Sequence, residues 1–151
     1  MDNKKILLVE DNPDDEAIIL RTLRRYQVTN EVEVAHDGAE ALDYLFANGK
    51  YAARDAGATP AIVLLDLKLP KIDGLEVLRR IRAAEATRLT RVVVLTSSEQ
   101  EEDLVNSYRF GCNSFVRKPV AFADFAEAVR QLGLYWLILN EPPPDAEGTA
   151  K

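Results

Sequence analysis

Short apolar runs alternate with helical patterns along the whole chain. The runs are KILLVE (Lys5–Glu10), EVEVA (Glu31–Ala35), AIVLLD (Ala61–Asp66), RVVVLT (Arg91–Thr96) and SFVRK (Ser114–Lys118). The first, third and fourth are continuous in Val, Leu and Ile, as strands covered on both faces are. EVEVA alternates apolar with acidic residues and is expected nearer a sheet edge. Helical patterns fill the gaps at roughly 15–26, 39–46, 75–84, 100–110 and 121–137, the first with Ile18, Ile19 and Leu23 at helical spacing. Five strands alternating with five helices predict an α/β fold, a parallel sheet with helices on both faces. Right-handed crossovers then bring the C-terminal ends of all strands to one rim, where such sheets bind ligands.

The 151 residues suit one domain with one core. Apolar residues at 47% and charged residues at 29% are the balance of a soluble globular chain. A net charge of −6 with no basic arm argues against nucleic acid or an anionic membrane as partner. A lone cysteine, Cys112, excludes an internal disulfide framework. No signal peptide and no apolar run near the ~20 residues of a membrane span are present, so a cytoplasmic location is expected. Residues 49–59 read as a surface loop, and the final EPPPDAEGTAK as a flexible tail over 141–151 after a domain covering 1–140.

The rim is chemically specific. The first strand ends in Glu10 and Asp11, the third in Asp66, the fourth in Thr96 and the fifth in Lys118. A carboxylate finishing a buried strand needs a partner, a metal or an exit to solvent, and Asp66 is expected to emerge from the core there. Three clustered carboxylates repel one another unless a cation sits among them. Hard oxygen donors favour Mg²⁺, and the single His36 with the single Cys112 cannot build a zinc site. A metal-bound carboxylate beside a hydroxyl and an ammonium suits phosphoryl transfer, with Asp66 as the attacking group.

The ordered motifs LLVEDNPDD, LLDLKLPKIDG, VVVLTSS and GCNSFVRKP resemble the receiver domain of two-component response regulators over roughly residues 4–137. The resemblance implies a flavodoxin-like doubly wound sheet in the order 2-1-3-4-5. It implies that Asp66 accepts a phosphoryl group from a phosphohistidine of a sensor histidine kinase. Glu10 and Asp11 would hold Mg²⁺ with Asp66 and the backbone carbonyl of Lys68. Lys118 would pair with the phosphoryl group, aimed by a cis bond to Pro119. Thr96 would turn its hydroxyl onto a phosphoryl oxygen, and Phe115 would swing inward as a switch. Lys68 is a long cationic side chain at a position that tunes phosphoryl lifetime, and it reads equally as a solvated loop lysine.

The C-terminal stretch FAEAVRQLGLYWLILNEPPP is apolar all round, where a surface helix shows one stripe. Leu134, Tyr135, Trp136, Ile138 and Leu139 are therefore expected at a second partner surface, against the alternative of a helix wrapped by its own chain. This ending resembles the small single-domain regulators that serve bacterial and cyanobacterial phytochromes, often homodimers, which implies a dimer interface there. Related regulators pair with other kinases, which keeps a non-phytochrome partner open. With no second domain such a chain is expected to signal by protein contact rather than act as an enzyme. An aspartyl-nucleophile phosphohydrolase is the alternative, but that class wants a second aspartate where Lys68 stands. A nucleotide-binding domain would need a glycine-rich loop after the first strand, which here runs into EDNPDD. A degenerate receiver is disfavoured because the residue set is complete. Asp14 and Asp15 read as helix N-cap and first-turn charges, Asp73 as a cap, His36 as a turn residue, and Tyr108 and Phe110 as packing residues.

Overall fold

The computed structural model describes residues 5–25, 30–97 and 100–117. Within them the order is β1 (Ile6–Val9), α1 (Pro13–Arg25), β2 (Val32–Ala35), α2 (Gly38–Phe46), a 3₁₀ turn at Gly49–Tyr51, β3 (Ile62–Leu65), α3 (Gly74–Ala83), β4 (Arg91–Thr96), α4 (Glu101–Arg109) and β5 (Ser114–Arg117). All pairings are parallel and the strand order is β2-β1-β3-β4-β5. The alternating run EVEVA does lie at an edge, as β2. The expected fifth helix, Pro119 and the apolar C-terminal stretch lie outside the described residues.

Successive strand residues face opposite ways, and the core divides accordingly. Leu7, Val9, Val63, Leu65, Val92 and Val94 pack on Leu45 of α2 and on Leu78 and Ile81 of α3. Ile6, Leu8, Ile62, Leu64, Val93 and Leu95 pack on Ile19 and Leu23 of α1. Both faces of the central strands are dry, which is why their sequences are continuous rather than alternating.

Helix starts are set by short polar side chains. Asn12 Oδ1 accepts the amides of Asp14 and Asp15 at 2.9 and 3.0 Å, and Pro13 opens α1. α1 therefore begins two residues before the Asp15 read from the sequence, with Asn12 rather than Asp14 or Asp15 as its cap. Asp37 caps α2 through the Glu40 amide at 2.7 Å, and Asp73 caps α3 through the Glu76 amide at 3.0 Å. Gln100 is the N-cap of α4, and its side chain makes no capping bond.

Several expected details differ. Ile18 is 41% exposed and Tyr108 52% exposed, since the buried stripe of α1 runs through Ile19, Thr22 and Leu23 and that of α4 through Ser107. Phe110 does pack against the core. The segment 49–59 is a mostly exposed surface loop, as expected, and Arg54 ties it to α2. Arg54 donates to the carbonyls of Tyr44, Leu45 and Ala58 at 2.7–3.1 Å, closing the C-terminus of α2, and its guanidinium lies 4.1 Å from the Tyr44 ring centroid. Among the described residues no helix is long and apolar enough to cross a membrane.

Candidate functional site

The site is built by strand register. β1 and β3 run side by side with Val9 opposite Leu65, so the next residue of each strand, Glu10 and Asp66, leave the sheet as neighbours. The Asp66 amide donates to the Val9 carbonyl at 3.1 Å and the Glu10 amide to the Ala35 carbonyl at 3.0 Å, extending the ladder to the last residue before the loops. Glu10, Asp11 and Asp66 thus each offer a carboxylate oxygen within 4.8 Å of the other two. This is the acidic trio expected from the sequence.

Their burial differs from expectation. Asp66 does not emerge from the core: it is only 6% exposed and Glu10 1%, while Asp11 is open to solvent. Backbone amides help hold the buried pair, Lys68 N–H donating to Asp66 Oδ1 at 3.2 Å and Asn12 N–H to Glu10 Oε2 at 3.1 Å. Two buried carboxylates beside an exposed third form a mutually repelling set with hard oxygen donors and one open side. That donor set fits a divalent cation that keeps some of its waters.

The loop after Asp66 is tightly folded. Gly74 N–H bonds the Leu67 carbonyl at 2.9 Å, Ile72 N–H the Pro70 carbonyl at 2.9 Å, and Lys71 takes a left-handed backbone with φ of 71°. A side chain on Gly74 would overlap the Asp66 carbonyl oxygen, so only glycine lets α3 begin this close to Asp66. The two lysines of the loop reach opposite ways. Lys71 Nζ lies 3.6 Å from Asp37 at the start of α2, and Lys68 Nζ lies 3.7 Å from Asp103 in the first turn of α4. A pocket of about 410 Å³ opens here, with Asp11, Lys68, Asp73 and Asp103 among its walls.

Thr96 ends β4 at the same rim, its backbone opposite Arg117 of β5. Phe115, in β5, is half-buried against the first core cluster. Lys118 follows Arg117 and lies outside the described residues, as do Leu134, Tyr135, Trp136, Ile138 and Leu139. Asp103 was not singled out by sequence reasoning. Its signal was available: it sits in the first turn of the helix that follows β4, so the topology that gathers the strand ends also brings it to the rim.

A second acidic cluster lies between β2, α2 and the turn after α2. The Tyr51 hydroxyl donates toward Glu33 Oε2 at 3.3 Å and Glu40 Oε2 at 3.2 Å, and Lys50 Nζ is 3.0 Å from Glu40. Burial pushes the Glu40 carboxyl up, but the His36 amide, Lys50 and Tyr51 together hold it below its usual range. Burial, with the charges of Glu40 and Glu33, pushes the Tyr51 hydroxyl up to about 12.

A doubly wound parallel sheet with a carboxylate trio at the strand ends defines a rim suited to a divalent cation. The comparisons agree with that class. The family model described as response regulator receiver domain matches residues 6–130, and the chain belongs to this family. It is 41% identical over 141 residues to the probable methanogenesis regulatory protein FilR2 of Methanothrix harundinacea, covering 93% of this chain and 88% of that one. It is 34% identical over 134 residues to the response regulator Rcp1 of Synechocystis sp., covering 89% of each. Among solved structures, the bacteriophytochrome response regulator RtBRR is similar with 52% identity, a TM-score of 0.79, and coverage of 93% of this chain and 84% of that one. The Mn²⁺-bound form of Rcp1 is similar with 34% identity, a TM-score of 0.79, and coverage of 93% and 99%.

Proposed function

We propose that this receiver accepts a phosphoryl group on Asp66 from a phosphohistidine of a sensor kinase and signals by protein contact. The observation that carries the reading is the carboxylate trio, two of its members buried at the ends of adjacent strands. A carboxylate oxygen of Asp66 forms the bond to phosphorus while the bond from phosphorus to the donor imidazole breaks, and the imidazole leaves with a proton. Glu10, Asp11, Asp66 and the Lys68 carbonyl are the groups assigned to hold Mg²⁺, which would neutralise charge on the transferring group. The Lys68 amide already donates to the Asp66 carboxylate, fixing which way it faces. Lys118 is assigned to the phosphoryl oxygens, Thr96 to the hydroxyl contact made after transfer, and Phe115 to the aromatic switch.

Similarity to bacteriophytochrome response regulators and to Rcp1 supports a phytochrome-type histidine kinase as donor. Homodimerisation through the C-terminal region, a receiver unit over 1–140 and a cytoplasmic setting complete the reading. Such a protein is a switch and not a turnover catalyst. The phosphohydrolase reading is weaker, because the position where that class needs an acid holds Lys68, whose ammonium faces Asp103.

The test is direct. Incubated with Mg²⁺ and acetyl phosphate, the chain gains one phosphoryl mass, and Asp66→Asn gains none. Labelling of Asp66→Asn at the wild-type level removes Asp66 from its role. Faster transfer from an unrelated sensor kinase than from a phytochrome-type one removes the phytochrome assignment.

A further inference from the structure

Four observations meet at Lys68. Its amide is bonded to the Asp66 carboxylate at 3.2 Å, so the base of its side chain starts beside the acceptor. Its ammonium instead lies 3.7 Å from Asp103, a mostly shielded carboxylate in the first turn of α4. Both residues wall the same open pocket, with Asp11 on its rim, so the lysine arm has room to turn. Finally, α4 begins without the side-chain cap that α2 and α3 have in Asp37 and Asp73. The Lys68–Asp103 ion pair joins the start of α4 to the acceptor loop.

We infer that Lys68 couples the acceptor to α4 by exchanging partners: its ammonium sits on Asp103 in the resting protein and turns to the anionic group when Asp66 is phosphorylated, releasing the first turn of α4. This rests on Asp66 being the phosphoacceptor. The physical basis is a change in the strongest nearby anion. A phosphoryl group adds more than one negative charge and three acceptor oxygens within reach of a flexible four-carbon arm. Lys71 marks the contrast. Its ammonium lies 3.6 Å from Asp37 on the opposite side of the loop, away from Asp103, and its backbone is left-handed. The released element carries Val105 and Tyr108, both exposed apolar side chains, on α4.

Amide hydrogen exchange over residues 100–104 of the full chain tests this, with beryllofluoride plus Mg²⁺ as the phosphoryl stand-in. In the wild type, activation should raise exchange there about two- to fivefold, the factor an ion pair of this exposure supports. Lys68→Met and Asp103→Asn should show that raised exchange already at rest and gain nothing on activation. The reversed pair, Lys68→Asp with Asp103→Lys, should restore resting protection yet fail to respond, since an acid at position 68 is repelled by the activator. Wild-type resting exchange in Lys68→Met, a wild-type response in that variant, or a reversed pair no better protected than the single variants overturns the inference. Phosphoryl mass gain by the wild type is measured in parallel. Its absence overturns the acceptor reading and the partner exchange with it, whereas the resting arms judge the Lys68–Asp103 tie alone.

Discussion

The molecule gathers acids in two places, and it treats them in opposite ways. At the Tyr51 cluster the chain supplies the answer to each charge: Lys50 and the Tyr51 hydroxyl for Glu40, and the Tyr51 hydroxyl and Lys5 for Glu33. At the strand ends, Glu10, Asp11 and Asp66 are pressed to within 4.8 Å of one another, and the loop lysines beside them point away, to Asp103 and Asp37. The first cluster is architecture, since its removal leaves half-buried carboxylates without these partners. The second is kept under electrostatic tension that a cation from solution can relieve. Acidic residues in a sequence therefore say little by themselves. What separates the two roles is how the fold packs them: the first acids are spaced around a tyrosine and two lysines, the second are pressed together with two of the three buried.

The comparison can be broken most forcefully at Arg54. Its guanidinium satisfies the Tyr44 and Leu45 carbonyls at the end of α2 and the Ala58 carbonyl of the loop, and stacks on Tyr44. Arg54→Ala should cost about 2–3 kcal/mol in urea unfolding while leaving Mg²⁺ binding intact. A loss below half of the lower figure would show that the segment 49–59 is not an anchor. Asp11→Asn should behave in the reverse sense. Without metal it should be as stable as the wild type or more so, by about 0.5 kcal/mol, because one repelling charge is gone. The rise in Tm that Mg²⁺ gives the wild type through mass action should vanish. A retained Mg²⁺-dependent rise would mean that the cation binds elsewhere.

A third variant sharpens the architectural side. Tyr51 has its hydroxyl raised to about 12 from the ordinary 10, so the folded state holds this proton more tightly than the unfolded one. Its contribution is complete below pH 10 and drains away as the pH rises toward 12. Tyr51→Phe should cost about 1 kcal/mol at pH 8. It should also flatten this part of the alkaline decline, read as the difference between the two unfolding curves. Identical slopes for the two proteins between those pH values would detach Tyr51 from Glu33 and Glu40.

Much of this was legible in the residues. Continuous Val, Leu and Ile runs announce strands buried on both faces, and the alternation of EVEVA announces an edge; both follow from side chains pointing alternately to two covered or one covered face. Because parallel topology sends every strand end to one rim, Glu10, Asp11 and Asp66 could be brought together on paper, and the structure places them so. The burial of Asp66 was not legible, since it depends on how closely Gly74 brings the start of α3 to the Asp66 backbone. Nor was the reach of Lys68, because four rotatable bonds separate its ammonium from a backbone position that sequence does predict. The anchoring of 49–59 was missed for a related reason. Small and polar residues dominate that segment, and the two that matter, Tyr51 and Arg54, act across ten or more residues on β2 and α2.

The in-register pairing of Val9 with Leu65 has one further meaning. It makes the distance between Glu10 and Asp66 a dimension of the sheet itself, set by the spacing of adjacent strands and not by any loop. Loops can lengthen, shorten or change sequence around this rim without altering that dimension. A substitution deep in β1 or β3 that slips the pairing by one residue would alter it at once, with no functional residue touched. The part of this protein most exposed to silent loss of function is thus its plainest stretch of valines and leucines.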